Sequence, residues 1–329
     1  MSTVPLSLDG KAIVLLCSTL ALTRDAMARP LAPKEWDSLA ASIHESELRT
    51  PSALFGLEAN DIANSLAVSL ETARRLETLL VRGGELAIEL DRLSARGIWI
   101  LTRADEAYPP LFRSRLKATA PPVLFGAGNL PALIDRSVAV VGSRDADEVS
   151  IDFATAVGRS CARNGFAVVS GAARGVDTAA MLAAVDAGGG AIGVVADALE
   201  RVVRRQDLRA HLADGELTLI AAQHPRAGFT VGSAMSRNRL IYCLAEAAVV
   251  VASGQKGGTR AGAFENLRAG WVPLFVRDDS DAPPGNRELL DAGGLAITRV
   301  ELAGNSLVDR LRGTPVVHYQ PTLEEAAAD

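Results

Sequence analysis

The sequence predicts an α/β protein: a doubly wound, mostly parallel sheet preceded by a small helical domain. Three observations carry this. Short apolar runs rich in β-branched residues stand at 137–141 (Ser-Val-Ala-Val-Val), 166–170 and 192–196. The first two break into small-residue turns, Gly142-Ser143-Arg144 and Gly171-Ala172-Ala173-Arg174-Gly175. After each turn comes a helical pattern: Phe153, Ala156, Val157, Ser160, Cys161 and Ala162 recur at helical spacing, and a second helix spans about 177–187. Strand, small-residue turn and helix, repeated, build a parallel sheet with helices on its faces.

Taken in order, the chain opens with helical segments at 11–27, 33–43, 58–66, 69–82 and 86–96, the second entered through Pro33 and the fourth stopped by Gly83-Gly84. These short helices fit either a SAM-like or helix-hairpin-helix-like bundle or a plain helical packing domain. A strand is expected at 97–102. The Tyr108-Pro109-Pro110 and Pro121-Pro122 stretches then fix an extended connection. Further strands are expected at 217–221, 247–252, 272–276 and 295–298. The segment 200–212 carries Arg201, Arg204, Arg205 and Arg209 as a basic surface. The domain plan is a helical domain at 1–100, a connecting hinge at 101–132, the sheet domain at 133–300 and a polar tail at 301–329.

Composition bounds the function. The 329 residues are 48% hydrophobic but only 4% aromatic, so the core rests on Ala, Val, Leu and Ile. A formal net charge of −5 means that any nucleic-acid contact needs a local basic patch on an acidic body. Cys17, Cys161 and Cys243 lie apart in apolar runs, as reduced core thiols of a cytoplasmic protein do. His44, His211, His224 and His318 form no ligand pattern, so no metal and no cofactor is expected. Residues 11–28 imitate a secretory leader, but Arg24 and Asp25 interrupt it and the apolar run is too short to span a bilayer. A first core helix is the better reading, with no membrane contact.

In doubly wound sheets, ligands bind outside the carboxyl ends of the strands. Both Gly/Ser/Arg turns fall there, and backbone N–H groups at helix starts beside arginines make an anion site. Lys256-Gly257-Gly258-Thr259 follows the run at 247–252. Its glycines allow close approach of a ligand, its lysine adds charge, and its threonine is placed to cap the next helix. Alone, this is an ordinary turn; beside the other two turns it completes a phosphate groove. Ser236-Arg237-Asn238-Arg239 reads as a helix start carrying two cations, or as a solvated charged pair. Asp177 reads as a helix cap, and Glu265 as a partner of Arg268. Neither carboxylate has an acid/base mate, so no catalytic residue is assigned. The lack of Gly-x-x-x-x-Gly-Lys-Ser/Thr and of Gly-x-Gly-x-x-Gly after the first strand argues against an ATPase of that type and a dinucleotide enzyme.

Tyr108-Pro109, the stretch Pro122 to Gly128, Val141-Gly-Ser-Arg144, Ser170-Gly-Ala-Ala-Arg-Gly-Val-Asp177, Arg237-Asn-Arg239 and Gly285-Asn286 with its Leu-Leu and Gly occur in the order they have in the DNA-processing protein A family (DprA, or Smf), which this chain resembles over roughly residues 100–295. The resemblance implies an extended Rossmann-like fold and a non-enzymatic, DNA-binding protein. Such a protein takes single-stranded DNA in a basic groove, forms a homodimer and hands the strand to the RecA recombinase. By position, Gly142, Ser143 and Arg144 would hold backbone phosphate, Ser170, Gly171 and Arg174 would line the next strand end, and Arg237, Asn238 and Arg239 the opposite wall. Lys256, Gly257, Gly258 and Thr259 complete the expected site.

The departures mark a divergent member. Met181 stands where the family has a histidine, and Ala222-Gln223 replaces a Ser-Glu pair. Ala234 and Met235 precede Arg-Asn-Arg in place of a phenylalanine, and Gly257-Gly-Thr-Arg260 replaces a Ser-Gly-Ser-Leu turn. The expected tail is too short for the winged helix that many members carry. Two other readings stay open. One is a nucleotide-binding or nucleotide-cleaving protein, because the Lys-Gly-Gly-Thr turn is similar to that of lysine-decarboxylase-like phosphoribohydrolases. The other is a partner or antitoxin in a mobile-element defence cassette.

Overall fold

The computed structural model describes residues 5–22, 28–302 and 310. Two compact units divide the chain. The first runs to Ala127 and takes in Ala198–Glu200 and Ala221–Ala227; the second comprises Gly128–Asp197, Arg201–Ile220 and the chain from Gly228 onward. The expected connection at 101–132 divides between them, while most of the expected tail at 301–329 lies outside the described residues.

The first unit holds α1 (Leu8–Cys17), α2 (Pro33–Glu45), α3 (Ala59–Leu66), α4 (Leu70–Leu80), α5 (Gly83–Ser94), β1 (Ile98–Thr102), α6 (Pro110–Leu116) and most of β2 (Val123–Gly128), which pairs antiparallel with β1. Helix α1 is its centre, since Ala12 to Leu16 are each at most 1% exposed. It stops well before the expected end at Met27, which lies outside the described residues. Ser18 turns extended, and both its N–H and its hydroxyl donate to the Val14 carbonyl, closing the last turn. The excursions into this unit are tied by ion pairs, Arg92 Nη1 to Glu200 Oε1 at 2.6 Å and Arg226 Nη2 to Glu89 Oε1 at 3.0 Å.

The second unit contains β3 (Ser137–Gly142), α7 (Glu148–Arg163), β4 (Ala167–Ser170), α8 (Val176–Asp186), β5 (Ala191–Val194), α9 (Leu199–Val202), α10 (Gln206–Asp214), β6 (Leu217–Ala221), α11 (Val231–Leu244), β7 (Ala247–Ala252), α12 (Gly258–Ala269), β8 (Leu274–Arg277), α13 (Pro284–Asp291) and β9 (Leu295–Ile297). Two of these, α9 and β6, reach into the first unit at Leu199–Glu200 and Ala221. Its strands lie in the order β6-β5-β4-β3-β7-β8-β9, every neighbouring pair parallel. The central strands are mostly apolar because helices cover both faces; Val138 to Val140 and Ala247 to Val251 are fully buried. Each buried valine contributes about 1.5–3 kcal/mol of burial free energy.

With few aromatic side chains, the helices approach closely instead. A Cβ on Gly158 of α7 would stand 2.2 Å from the Ala180 carbonyl oxygen of α8. Met181, in the position of the family histidine, is a core residue, with its methyl 3.1 Å from where a Cβ on Gly193 would lie.

From β3 the chain winds outward through β4 and β5 to β6, then returns to lay β7 on the other side of β3. The order therefore reverses between β3 and β7, which opens a crevice at their carboxyl ends.

Candidate functional site

At the end of β3 the backbone opens at Gly142 and turns through Ser143, whose hydroxyl accepts from the Asp145 N–H at 3.1 Å. The turn packs against the start of α8. Gly175 there has φ +81°, and a Cβ on it would lie 2.5 Å from the Ser143 carbonyl oxygen. Across the crevice, Thr259 Oγ1 donates to the Gly142 carbonyl at 3.1 Å, tying α12 to β3. The threonine does not cap α12 as expected; Gly257, at φ +113°, is the capping residue and supplies no side chain. The start of this twelve-residue helix therefore lines the cleft without a side-chain cap, and its dipole places partial positive charge there.

The loop before α12 is set by Asn286. Its Oδ1 accepts from Ser253 N–H at 2.8 Å, and its Nδ2 donates to the carbonyls of Val251 and Arg277 at 3.1 and 2.9 Å. Gly285 sits so close that a Cβ would meet the Ser253 and Gly254 carbonyl oxygens at 2.4 Å. The Gly-Asn pair thus fixes the Lys256–Thr259 turn from below.

Helix α11 forms the remaining wall. It begins at Val231, where Thr230 accepts from Ser233 N–H at 2.9 Å and the Ser233 hydroxyl accepts from Thr230 N–H at 3.0 Å. Arg237 and Arg239 are therefore mid-helix residues, not a helix start. Arg237 points inward and is 9% exposed, with Nη1 3.7 Å from Asp177 Oδ2. The missing side chain of Gly171 makes room for it, since a Cβ there would lie 1.5 Å from Arg237 Nη1.

Asp177 is thus a buried counter-charge and not the helix cap that the sequence suggested. Burial pushes its carboxyl above the usual range, opposed by the Arg237 charge. Burial lowers Arg237 in turn, opposed by Asp177. A guanidinium stays charged at any ordinary pH, so this one is a buried cation. Its Nε has no hydrogen-bond partner among the described residues.

These elements enclose an open cleft of about 500 Å³. Gly142, Ser143, Arg144, Arg237, Asn238, Lys256, Gly257, Gly258 and Thr259 all line it. Arg144 and Lys256 are exposed. Asn238 Nδ2 donates to the Gly258 carbonyl at 3.0 Å, joining α11 to α12.

Four expected residues stand elsewhere. Ser170 is buried and donates to the Val140 carbonyl. Gly171 packs beneath Arg237. Arg174 is exposed outside the lining and paired with Asp145 at 2.7 Å. Arg239 is held by Glu265.

Among the lining residues outside the expected site, Phe229 is the one that offers an exposed flat ring. Phe229 lies 44% exposed on the loop before α11, with the Arg144 guanidinium 4.8 Å from its ring centre. Its signal was an isolated aromatic after a glycine, directly ahead of the Thr230-x-x-Ser233 start of a helix. Met235 and Val231 are exposed beside it in the lining. Asp177 is the one carboxylate of the lining. Among the described residues no group of three or more His, Cys, Asp or Glu is placed to hold a metal ion, and no helix is long and apolar enough to cross a membrane.

The family model for DNA recombination-mediator protein A matches residues 99–301, well over half the chain. The DNA processing protein DprA of Bacillus subtilis (strain 168) is 29% identical over 195 residues, 58% of this chain and 65% of that protein. The chain spans 59–65% of the length of the curated relatives it matches first. The X-ray structure of DNA processing protein A from Streptococcus pneumoniae has a TM-score of 0.62 at 22% identity, over 89% of this chain and 99% of that one. A structure of the Helicobacter pylori protein, from work on its single-stranded DNA binding mode, has a TM-score of 0.56 at 24% identity, over 64% of this chain and 96% of that one. These likenesses establish an extended Rossmann-like α/β fold.

Proposed function

Because this chain belongs to the DNA recombination-mediator protein A (DprA) family, we propose that its cleft holds single-stranded DNA and does no chemistry on it. The observation that carries this reading is the meeting, in one cleft, of an anion seat with an exposed aromatic ring. The seat is made by the buried Arg237 guanidinium, the uncapped start of α12 and the exposed Lys256 and Arg144. Phosphate suits it, because N–H dipoles and fixed cations converge there. Phe229 offers a flat face to a base. Only an unpaired strand can present a free base face, so the pair of features favours single strands over duplex. With a net charge of −5, such binding rests on local cations and not on the charge of the whole chain.

The further biology follows the family: a cytoplasmic homodimer that shields an incoming or recombining strand and assists RecA in loading on it. Sedimentation of the purified protein tests the dimer. RecA filament nucleation on a coated strand tests the loading, and nucleation no faster than on bare DNA would remove that role. The nucleotide-cleaving alternative needs a carboxylate facing the Lys256–Thr259 turn, and Glu265 is engaged by Arg239 instead.

The deciding experiment is fluorescence anisotropy with labelled poly-dT across a salt series, on the parent and on Arg144→Ala. Tight binding is expected, falling as salt rises and weaker in the variant. Absence of binding at low salt would overturn the reading.

A further inference from the structure

The arrangement of cations along the carboxyl edge of the sheet goes beyond the cleft. β5, β4, β3 and β7 are consecutive neighbours, about 4.8 Å apart from strand to strand. Each is followed by exposed basic residues: Lys256 after β7, Arg144 after β3, Arg174 after β4, and Arg201, Arg204 and Arg209 after β5. The cleft uses only the β7 and β3 members of this row.

The β5 member is built onto the β4 turn. Arg205, at the start of α10, donates from Nη1 to the Ala172 carbonyl at 2.6 Å, and its Nη2 lies 3.4 Å from Thr178 Oγ1. Ala172 belongs to the turn that packs beneath Arg237 and holds φ +51°, an uncommon conformation for a residue with a side chain. Asp207 and Asp197 pair with Arg205 and Arg201, and Asp145 pairs with Arg174. Arg204 and Arg209 are exposed and have no side-chain partner among the described residues.

We infer that a strand leaving the cleft crosses the β4 turn and lays its phosphates on the start of α10, with Arg204 and Arg209 as the contacting cations and Arg205 as the residue that positions them. The ligand class is an extended nucleic-acid backbone, contacted without base recognition because this patch has no exposed aromatic side chain. The inference rests on the single-strand reading of the cleft and extends the length of DNA that the protein grips.

The test compares two oligo-dT probes, one of about six nucleotides that fills only the cleft and one of about thirty. The proteins are the parent, Arg204→Ala/Arg209→Ala, and Arg159→Ala/Arg163→Ala. The last pair removes the same charge from exposed positions toward the far end of α7. For the long probe, the Arg204/Arg209 variant is expected to bind about tenfold more weakly near physiological salt. Its log–log salt slope should be shallower by about 1.4, two contacts at roughly 0.7 each. The short probe should bind all three proteins alike, and the α7 variant should match the parent on both probes.

An unchanged slope with the long probe overturns the inference, as does an equal loss with the short probe or from the α7 variant. A parent that binds neither probe overturns the single-strand reading itself, a distinguishable result.

Discussion

The guanidinium of Arg144 lies over the ring of Phe229, 4.8 Å from its centre, so a cation from the β3 turn and an aromatic from the α11 loop form one surface. The arginine orders the ring, and the ring holds the arginine at the rim of the cleft. Phe229→Ala is expected to weaken oligo-dT binding roughly five- to hundredfold, the span of about 1–3 kcal/mol for one stacked base. Because the ring is exposed, the melting temperature should barely move. Anisotropy and a thermal melt on the same preparation check both halves, and an undiminished affinity would take Phe229 out of the site.

Removing the counter-charge of Arg237 tests the anion seat. Asp177→Asn leaves a buried guanidinium uncompensated, which costs about 3–5 kcal/mol of stability. Urea unfolding measures the loss. Added inorganic phosphate should restore stability to this variant more than to the parent, because a phosphate can stand in for the carboxylate. Equal phosphate effects in both proteins would count against a seat at Arg237.

Asn286 satisfies three backbone groups with one buried amide. Asn286→Ala strands a buried N–H and two carbonyls, at about 1–3 kcal/mol for each group that water does not reach. Asn286→Asp keeps the shape but turns a carboxylate oxygen toward two carbonyls, and should be at least as damaging. Chemical denaturation ranks the two variants. An alanine variant as stable as the parent would mean that the Ser253 loop is held by other contacts.

In the first unit, the hydrogen bond from Arg75, with that from the Ala32 N–H, holds the Glu35 carboxyl well below its ordinary 4.5, at about 2. A depressed folded-state value means that the unfolded chain takes up the proton first. The stabilisation is therefore complete above about pH 4.5 and is lost as pH falls toward 2. Glu35→Gln should lower stability at pH 7 and leave the two proteins equally stable near pH 2. A constant difference across that window would show that the carboxylate charge is not the stabilising feature.

Much of the fold was legible because its strands are buried on both faces. The runs at 137–141 and 247–252 need no alternation to be recognised, and the glycine turns mark where they end. The site was legible only as far as backbone chemistry reaches. Gly142-Ser143-Arg144 and Lys256 to Thr259 reveal themselves by small residues at strand ends. Arg237 and Arg239 carry the same side chain two positions apart, yet one is buried on Asp177 and the other exposed on Glu265. That difference depends on which face of α11 meets the sheet, and the start of α11 at Val231 was hidden in a capping pair that resembles ordinary loop. Phe229 was hidden for the same reason, its meaning set by an arginine far away in sequence.

That distance has a temporal side. Thr259 fastens to the carbonyl of Gly142 from 117 positions further along the chain. Closing such a span is entropically slow, so this tie forms only after the strands between have assembled. A ribosome making this protein from its amino end therefore releases β3 and its arginine long before their counterpart exists. An unfinished chain has no cleft, and the cleft is complete only once synthesis has run past the start of α12.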